Sequence, residues 1–293
     1  MNDTLKFLDS VKDRLEEVSY EEIYQSVAAM RDKFVPTALI KKGAFIDRVR
    51  VHKKPDDLFL REEDISYIHD QEVIDKYVGY GRANKEKQAV FYGAILSPKI
   101  KHPRVVAYFE TSPILKNLDK YPEVTEYFTL SRWRLTQDIE VMEVIFSDEA
   151  LKVSEYAQMS LANQLKNYKH LPLAAEYEEQ GRFFANQFAR SDIKDGQDYK
   201  YKITAAYVNY IWAKSHLKGV TYPSVQSEYL GQNVALLPEL VNSSLQLDAP
   251  VGIFKFERKG GVNLPVDSTK VAMDLGKDNA AFVFKDYYDG AFR

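Results

Sequence analysis

Four short stretches of this chain carry side chains suited to holding an anionic ligand and stabilising charge during a reaction. They are Arg48-Val49-Arg50; Gly81-Arg82-Ala83-Asn84 followed by Val90-Phe91-Tyr92; Ala107-Tyr108-Phe109-Glu110; and Tyr222-Pro223-Ser224 followed by Gly231-Gln232-Asn233. Arginine suits phosphate because its planar guanidinium bonds two oxygens at once. A carboxylate such as Glu110 can stabilise positive charge developing on a sugar ring, or activate a water. Tyr92 can stack on a ring and still offer a hydroxyl. Ser224, on a turn stiffened by Pro223, can hydrogen-bond without adding charge. Each residue also has a plain reading. Arg48 and Arg50 alternate around Val49 and so share one strand face, as an exposed edge with ion pairs would. Arg82 reads equally as a solvated turn residue, Tyr92 as core, Glu110 as the acid closing an apolar strand from Val105 to Phe109, and Ser224 as a turn or cap residue.

Other chemistries leave no trace. The chain has no cysteine, so thiolate metal sites and a cysteine nucleophile are excluded. Its five histidines are scattered without an HExxH or an i, i+4 pair, and no metal site is expected. GxxxxGK, GxGxxG and GxSxG are all missing, and Asp192, Asp195 and Asp198 have the wrong spacing for a calcium loop. With 40 basic and 43 acidic residues the net charge is −3, which argues against direct binding to nucleic acid through a broad basic field. The stretch from Met1 to Leu8 lacks a signal-peptide core, and no apolar run approaches the roughly 18 residues of a membrane span. The expected location is the cytoplasm, away from membranes.

Hydrophobic periodicity supplies the elements that must position these residues. Leu5, Leu8, Val11, Leu15 and Val18 mark a helical stripe, and Ser19 with Glu22 forms a capping box opening a second helix that ends before Pro36. Such a pair predicts a helical hairpin packed on the remainder of the chain, with a partner-binding arm as the alternative. From Gly43 the texture changes to short apolar runs: Ala44 to Val51 and Ala89 to Ile95 read as strands, and Lys53 to Lys76 as a charged segment with a short helix. Arg132 to Phe146 is strand-like. Glu149 to Lys166, Ala174 to Arg190 and Tyr201 to Leu217 read as helices. Val251 to Glu257 is one arm of a hairpin turning at Gly260-Gly261, and Ala280 to Phe284 a late strand. Blocks of this kind predict an α/β fold with a mixed α+β sheet.

In their order along the chain the four stretches resemble the RES-domain family, named for its Arg, Glu and Ser. The resemblance covers about Phe45 to Ser112 and Gly219 to Pro238. It implies a fold similar to that of ADP-ribosyltransferases and an activity that consumes NAD by hydrolysis, phosphorolysis or ADP-ribosylation. It also implies a bacterial toxin, commonly paired with a DNA-binding antitoxin. By that resemblance Arg82, Tyr92, Glu110 and Ser224 are the catalytic positions, and Arg48, Arg50, Arg82, Asn84, Tyr92, Tyr222, Ser224 and Asn233 bind NAD; either Arg48 or Arg50 is the early family arginine. NAD is expected as substrate, a cognate antitoxin as partner, and an oligomer is open. Three departures stand out: Ala83 where the family often has an aromatic, an extension at Ser97 to Arg104, and a long segment between Glu110 and Tyr222.

The expected organisation is an N-terminal helical segment, 1–43, and a RES-like domain, 44–293, carrying a helical insertion at about 147–217. The expected activity is NAD glycohydrolysis, the cleavage of the nicotinamide–ribose bond. Nicotinamide leaves from a nitrogen that is already positively charged, so neither a strong general acid nor a metal is needed. One alternative is an ADP-ribosyltransferase acting on a protein; a second is a non-catalytic nucleotide- or partner-binding module.

Overall fold

The described strands join in one mixed sheet, whose strands Gly219–Pro223 and Gln232–Leu236 are buried on both faces. A computed structural model describes residues 3–30, 33–54, 57–276 and 280–287. Its helices are α1 (Asp3–Val11), α2 (Tyr20–Ala29), α3 (Glu62–Ile65), α4 (Gln71–Tyr77), α5 (Pro103–Thr111), α6 (Asp148–Val153), α7 (Glu155–Tyr168), α8 (Ala174–Phe188), α9 (Lys202–Lys214) and α10 (Pro238–Ser244). Its strands are β1 (Thr37–Ile40), β2 (Phe45–Val51), β3 (Phe91–Ile95), β4 (Val124–Leu135), β5 (Ile139–Glu143), β6 (Gly219–Pro223), β7 (Gln232–Leu236), β8 (Leu245–Lys259), β9 (Val262–Asn263), β10 (Asp267–Ala272) and β11 (Lys285–Asp286). The sheet runs β1-β5-β6-β7-β3-β2-β4-β8-β10-β11, with β9 turned back on β8. The β5–β6 pair is parallel and the other ladders are antiparallel. A parallel pair needs a long crossover, and α6 to α9 supply it. The fold is mixed α/β.

The N-terminal hairpin packs on the sheet-covering helices. Leu5, Leu8, Val11, Ile23 and Val27 are buried in the same cluster as Ile203, Tyr207 and Ile211 of α9. The capping box forms as the sequence predicts: the Ser19 hydroxyl accepts from Glu22 N–H, and the Glu22 carboxylate accepts from Ser19 N–H. Helix α1 stops at Val11, short of the predicted stripe, yet Leu15 and Val18 stay buried. The carbonyls freed there are not left unpaired, because the Lys202 ammonium donates to Leu15 O and Val18 O at 2.8 Å each.

Several elements differ from the sequence expectation. Val105 to Phe109 belongs to helix α5, not a strand; Pro103 sits at its first turn, where a missing N–H costs nothing. Arg132 to Phe146 is not one strand but the end of β4, a turn, and β5. Ala280 to Phe284 forms no strand: Phe282 is buried and donates its N–H to Leu60 O, and pairing begins only at Lys285. Segment 1–43, expected to be helical, includes β1, which pairs with β5.

One ion pair spans the β2–β4 ladder in the sheet centre. Asp47 lies directly opposite Arg132 on the β2–β4 ladder, and Arg132 Nε and Nη2 donate to its two carboxylate oxygens at 2.7 and 2.9 Å. The Asp47 side chain is 1% exposed and Arg132 41% exposed, so the two partners are not equivalent. Removing the arginine strands a buried carboxylate, whereas removing the aspartate leaves a cation that water can reach. Arg132→Ala is therefore expected to lower unfolding free energy by about 3 kcal/mol in denaturant titration, and Asp47→Asn by less. Equal losses would show that burial of Asp47 does not dominate the pair.

Candidate functional site

Strands β2 and β3 pair through only two registers, Ile46↔Ile95 and Asp47↔Ala94, whereas β2 stays paired with β4 from Phe45 to Val51. Beyond Asp47 the two strands part, and the gap opens into a cavity of about 230 Å³ lined by residues of β2, β3, β6, β7 and α5. Tyr222 faces Asn233 across β6–β7, Asn233 faces Ala94 and Tyr92 faces Ala235 across β7–β3. Directly opposed residues share a face, so Tyr222, Asn233 and Tyr92 all project toward the side on which Ala94 packs against Val106 and Ala107 of α5.

Glu110, on the last turn of α5, is held from two directions. Ser224 Oγ donates to Glu110 Oε1 at 2.7 Å and Asn233 Nδ2 donates to the same oxygen at 2.9 Å. Oε2 has no hydrogen-bond partner among the described residues. Ser224 is fully buried and also accepts from Ser227 N–H as the cap of a short 3-10 turn, so its position is set by the backbone that follows β6. Ser224 therefore orients the carboxylate and does not itself line the cavity.

Tyr92 and Asn84 form a second bonded unit. The Tyr92 hydroxyl donates to Asn84 Oδ1 at 2.7 Å and accepts from Ala83 N–H at 3.0 Å. The Asn84 amide donates to Gly79 O and Lys85 O. Burial pushes the Tyr92 phenol far above its ordinary pKa, with the Ala83 N–H acting the other way, so it stays a donor. Only the Tyr92 ring is left to meet a ligand. Gly81 is required here, since a Cβ would overlap Asn84 Oδ1 and sit 2.7 Å from the Tyr92 hydroxyl.

The turn so pinned presents Arg82, which is 8% exposed and lines the cavity. Its Nη1 donates to Phe188 O and its Nη2 to Arg190 O at 3.2 Å, both carbonyls at the end of α8, while the guanidinium lies over the Tyr201 ring at 5.1 Å. Arg190 in turn donates to Lys12 O at 2.9 Å and pairs with Asp192 at 2.7 Å.

The two early arginines separate. By register both side chains project to the face opposite Tyr92 and Asn233. Arg48 lies at the split itself, donating from Nε to Ile65 O at 3.1 Å and from Nη1 to Tyr92 O, over the Phe91 ring at 4.9 Å, and it lines the cavity. Burial, then repulsion from Arg50, pulls its pKa down, but a guanidinium remains charged, and these carbonyls offset its desolvation. Arg50 is turned away onto Asp64 O and the Phe59 ring. The cavity thus brings together Arg48, Arg82, Tyr92, Glu110, Tyr222 and Asn233, with Ser224 and Asn84 behind them and Arg50 outside.

Sequence reading missed Lys116 and Tyr201, both of which line the cavity. Lys116 follows α5 in a 3-10 turn, Leu115–Lys120, and Tyr201 ends another, Asp198–Tyr201. Neither belongs to a motif, so only the fold reveals them. Tyr222 is 4% exposed with its ring against Phe188, and its hydroxyl has no hydrogen bond among the described residues. Burial raises its pKa well above 10.0, with the neighbouring Tyr92 and Glu110 adding to the effect.

The chain matches no family model and no curated protein. Among the described residues no cluster of His, Asp and Glu gathers as a metal site would, and no helix is long and apolar enough to cross a membrane.

If the turn from Gly81 to Asn84 is locked as described, Gly81→Ala must displace both the Asn84 amide and the Tyr92 hydroxyl or shift the turn itself. The expected cost is about 1–3 kcal/mol of stability in urea unfolding. An unchanged midpoint would mean that the turn absorbs the methyl group.

Proposed function

We propose that this chain is an NAD glycohydrolase of RES type, on a fold similar to that of ADP-ribosyltransferases. The observation that carries the reading is Glu110: a carboxylate with one oxygen fixed by Ser224 and Asn233 and the other unengaged, beside a cavity that also holds Arg82, Tyr92 and Tyr222. These are the residues that the family pattern names, and they come together from distant parts of the chain.

The chemistry follows from that arrangement. The bond between C1′ of the ribose and the nicotinamide nitrogen breaks, and its electron pair leaves with the nitrogen, which becomes neutral. Positive charge develops on the sugar and is stabilised by the unengaged Oε2 of Glu110. A water then adds to C1′ and passes its proton to that carboxylate, giving ADP-ribose, nicotinamide and a proton. The Tyr92 and Tyr222 rings provide flat apolar walls for the departing base. Because Oε1 is already saturated, Glu110 cannot swing away from the reacting carbon without breaking two hydrogen bonds. The cavity, at about 230 Å³, is smaller than the ~300–1,000 Å³ typical of pockets that enclose a whole ligand. It is therefore read as the seat of the nicotinamide–ribose end alone.

An enzyme of this kind would act on the cytoplasmic NAD pool as a toxin held in check by an antitoxin. Glu110→Gln keeps the size and the two donors' neighbour but removes the charge. Nicotinamide release from NAD is expected to fall by about 10²–10³-fold with the unfolding midpoint nearly unchanged. Equal release by the purified protein and the variant would remove Glu110 from the reaction. Labelled NAD incubated with lysate separates the rival outcome: free ADP-ribose marks hydrolysis, and a labelled protein band marks transfer.

A further inference from the structure

A ligand whose reactive end fills the cavity must carry its diphosphate out over the rim, and the two cavity arginines are poorly placed to receive it. Arg82 has donors committed to Phe188 O and Arg190 O, and Arg48 to Ile65 O and Tyr92 O. Releasing either would leave backbone carbonyls unpaired in a buried setting, which is costly. Lys116 differs. It lines the same cavity, is exposed, and makes no hydrogen bond or ion pair among the described residues. We propose that Lys116 is the principal diphosphate-binding residue of this site, Arg82 and Arg48 serving to frame the cavity and to supply a positive field.

This assignment rests on the NAD reading of the site and adds a residue that the family pattern does not name. Lys116 stands in the turn that follows α5, so the helix that presents Glu110 to the sugar also presents the cation to the phosphates. A flexible ammonium can turn all of its donors toward a diphosphate that approaches from solvent, whereas each guanidinium, with two of its five N–H groups bonded to carbonyls, keeps the rest in fixed directions. Its surroundings fit an unfilled anion site: crowding by protein lowers its pKa, partly offset by Glu110 and Asp195, and Arg82 adds repulsion. An anion placed there would relieve that repulsion.

The test compares Lys116→Ala and Lys116→Arg with the unmodified protein, using NAD, nicotinamide riboside, which carries the same scissile bond without the diphosphate, and inorganic pyrophosphate as a binding probe. Lys116→Ala is expected to raise KM for NAD about 10- to 100-fold with little change in kcat, while cleavage of nicotinamide riboside stays the same. Lys116→Arg should recover most of the loss. Pyrophosphate binding by calorimetry should weaken in parallel. An unchanged KM for NAD in Lys116→Ala overturns the role of Lys116 and leaves the NAD reading standing. Pyrophosphate binding that depends on Lys116 in a protein that releases no nicotinamide keeps the anion site and removes the NAD reading. Failure of the unmodified protein to bind pyrophosphate or NAD overturns both.

Discussion

One carboxylate oxygen joins three remote parts of the chain. Glu110 Oε1 receives hydrogen bonds from Ser224 and Asn233, which lie 114 and 123 residues away in sequence. Each contact belongs to a different element, so α5, the turn after β6 and β7 must all be in register before the carboxylate is held. A half-buried acid with two donors is well satisfied, and its position is decided by the sheet, not by its own helix. Helix α5 packs over both β2 and β3, and its last turn lines the cavity where the two strands part.

Burying arginine near such a gap carries a desolvation cost, and this protein meets it with backbone carbonyls instead of acids. Arg48 and Arg82 each donate to two carbonyls and lie over an aromatic ring. Among the described residues neither guanidinium is in an ion pair, and Glu110 is the carboxylate that shares the cavity with them. The Asp47–Arg132 pair, at the neighbouring position of β2, shows the contrasting solution, in which a buried carboxylate and a guanidinium on the facing strand neutralise each other.

Much of the architecture was legible in local pattern. The Ser19–Glu22 box, the Phe45–Val51 and Phe91–Ile95 strands and the Gly260-Gly261 hairpin all follow from short-range rules. Val105 to Phe109 misled because a short apolar run fits strand and buried helix equally, and only Pro103 hints at a helix start. The strands β6 and β7 escaped because they are buried throughout and show no alternation. Within the site, the motif residues were found by type and order, but their division of labour was not. Arg48 and Arg50 look the same in sequence, and it is the split in the sheet that separates them. Lys116 had no signal at all, because its place at the cavity comes from the turn that follows α5 and not from a motif.

The placing of β3 between β2 and β7 has a meaning in time as well as in space. During synthesis β2 and β3 emerge together, but the other neighbour of β3 arrives only with Gln232–Leu236, after the whole α6 to α9 crossover has been made. Until then Phe91–Ile95 has one open edge and Glu110 lacks both of its donors. The carboxylate therefore has neither donor in any nascent chain that ends before Ser224, although the whole of α5 has by then been made.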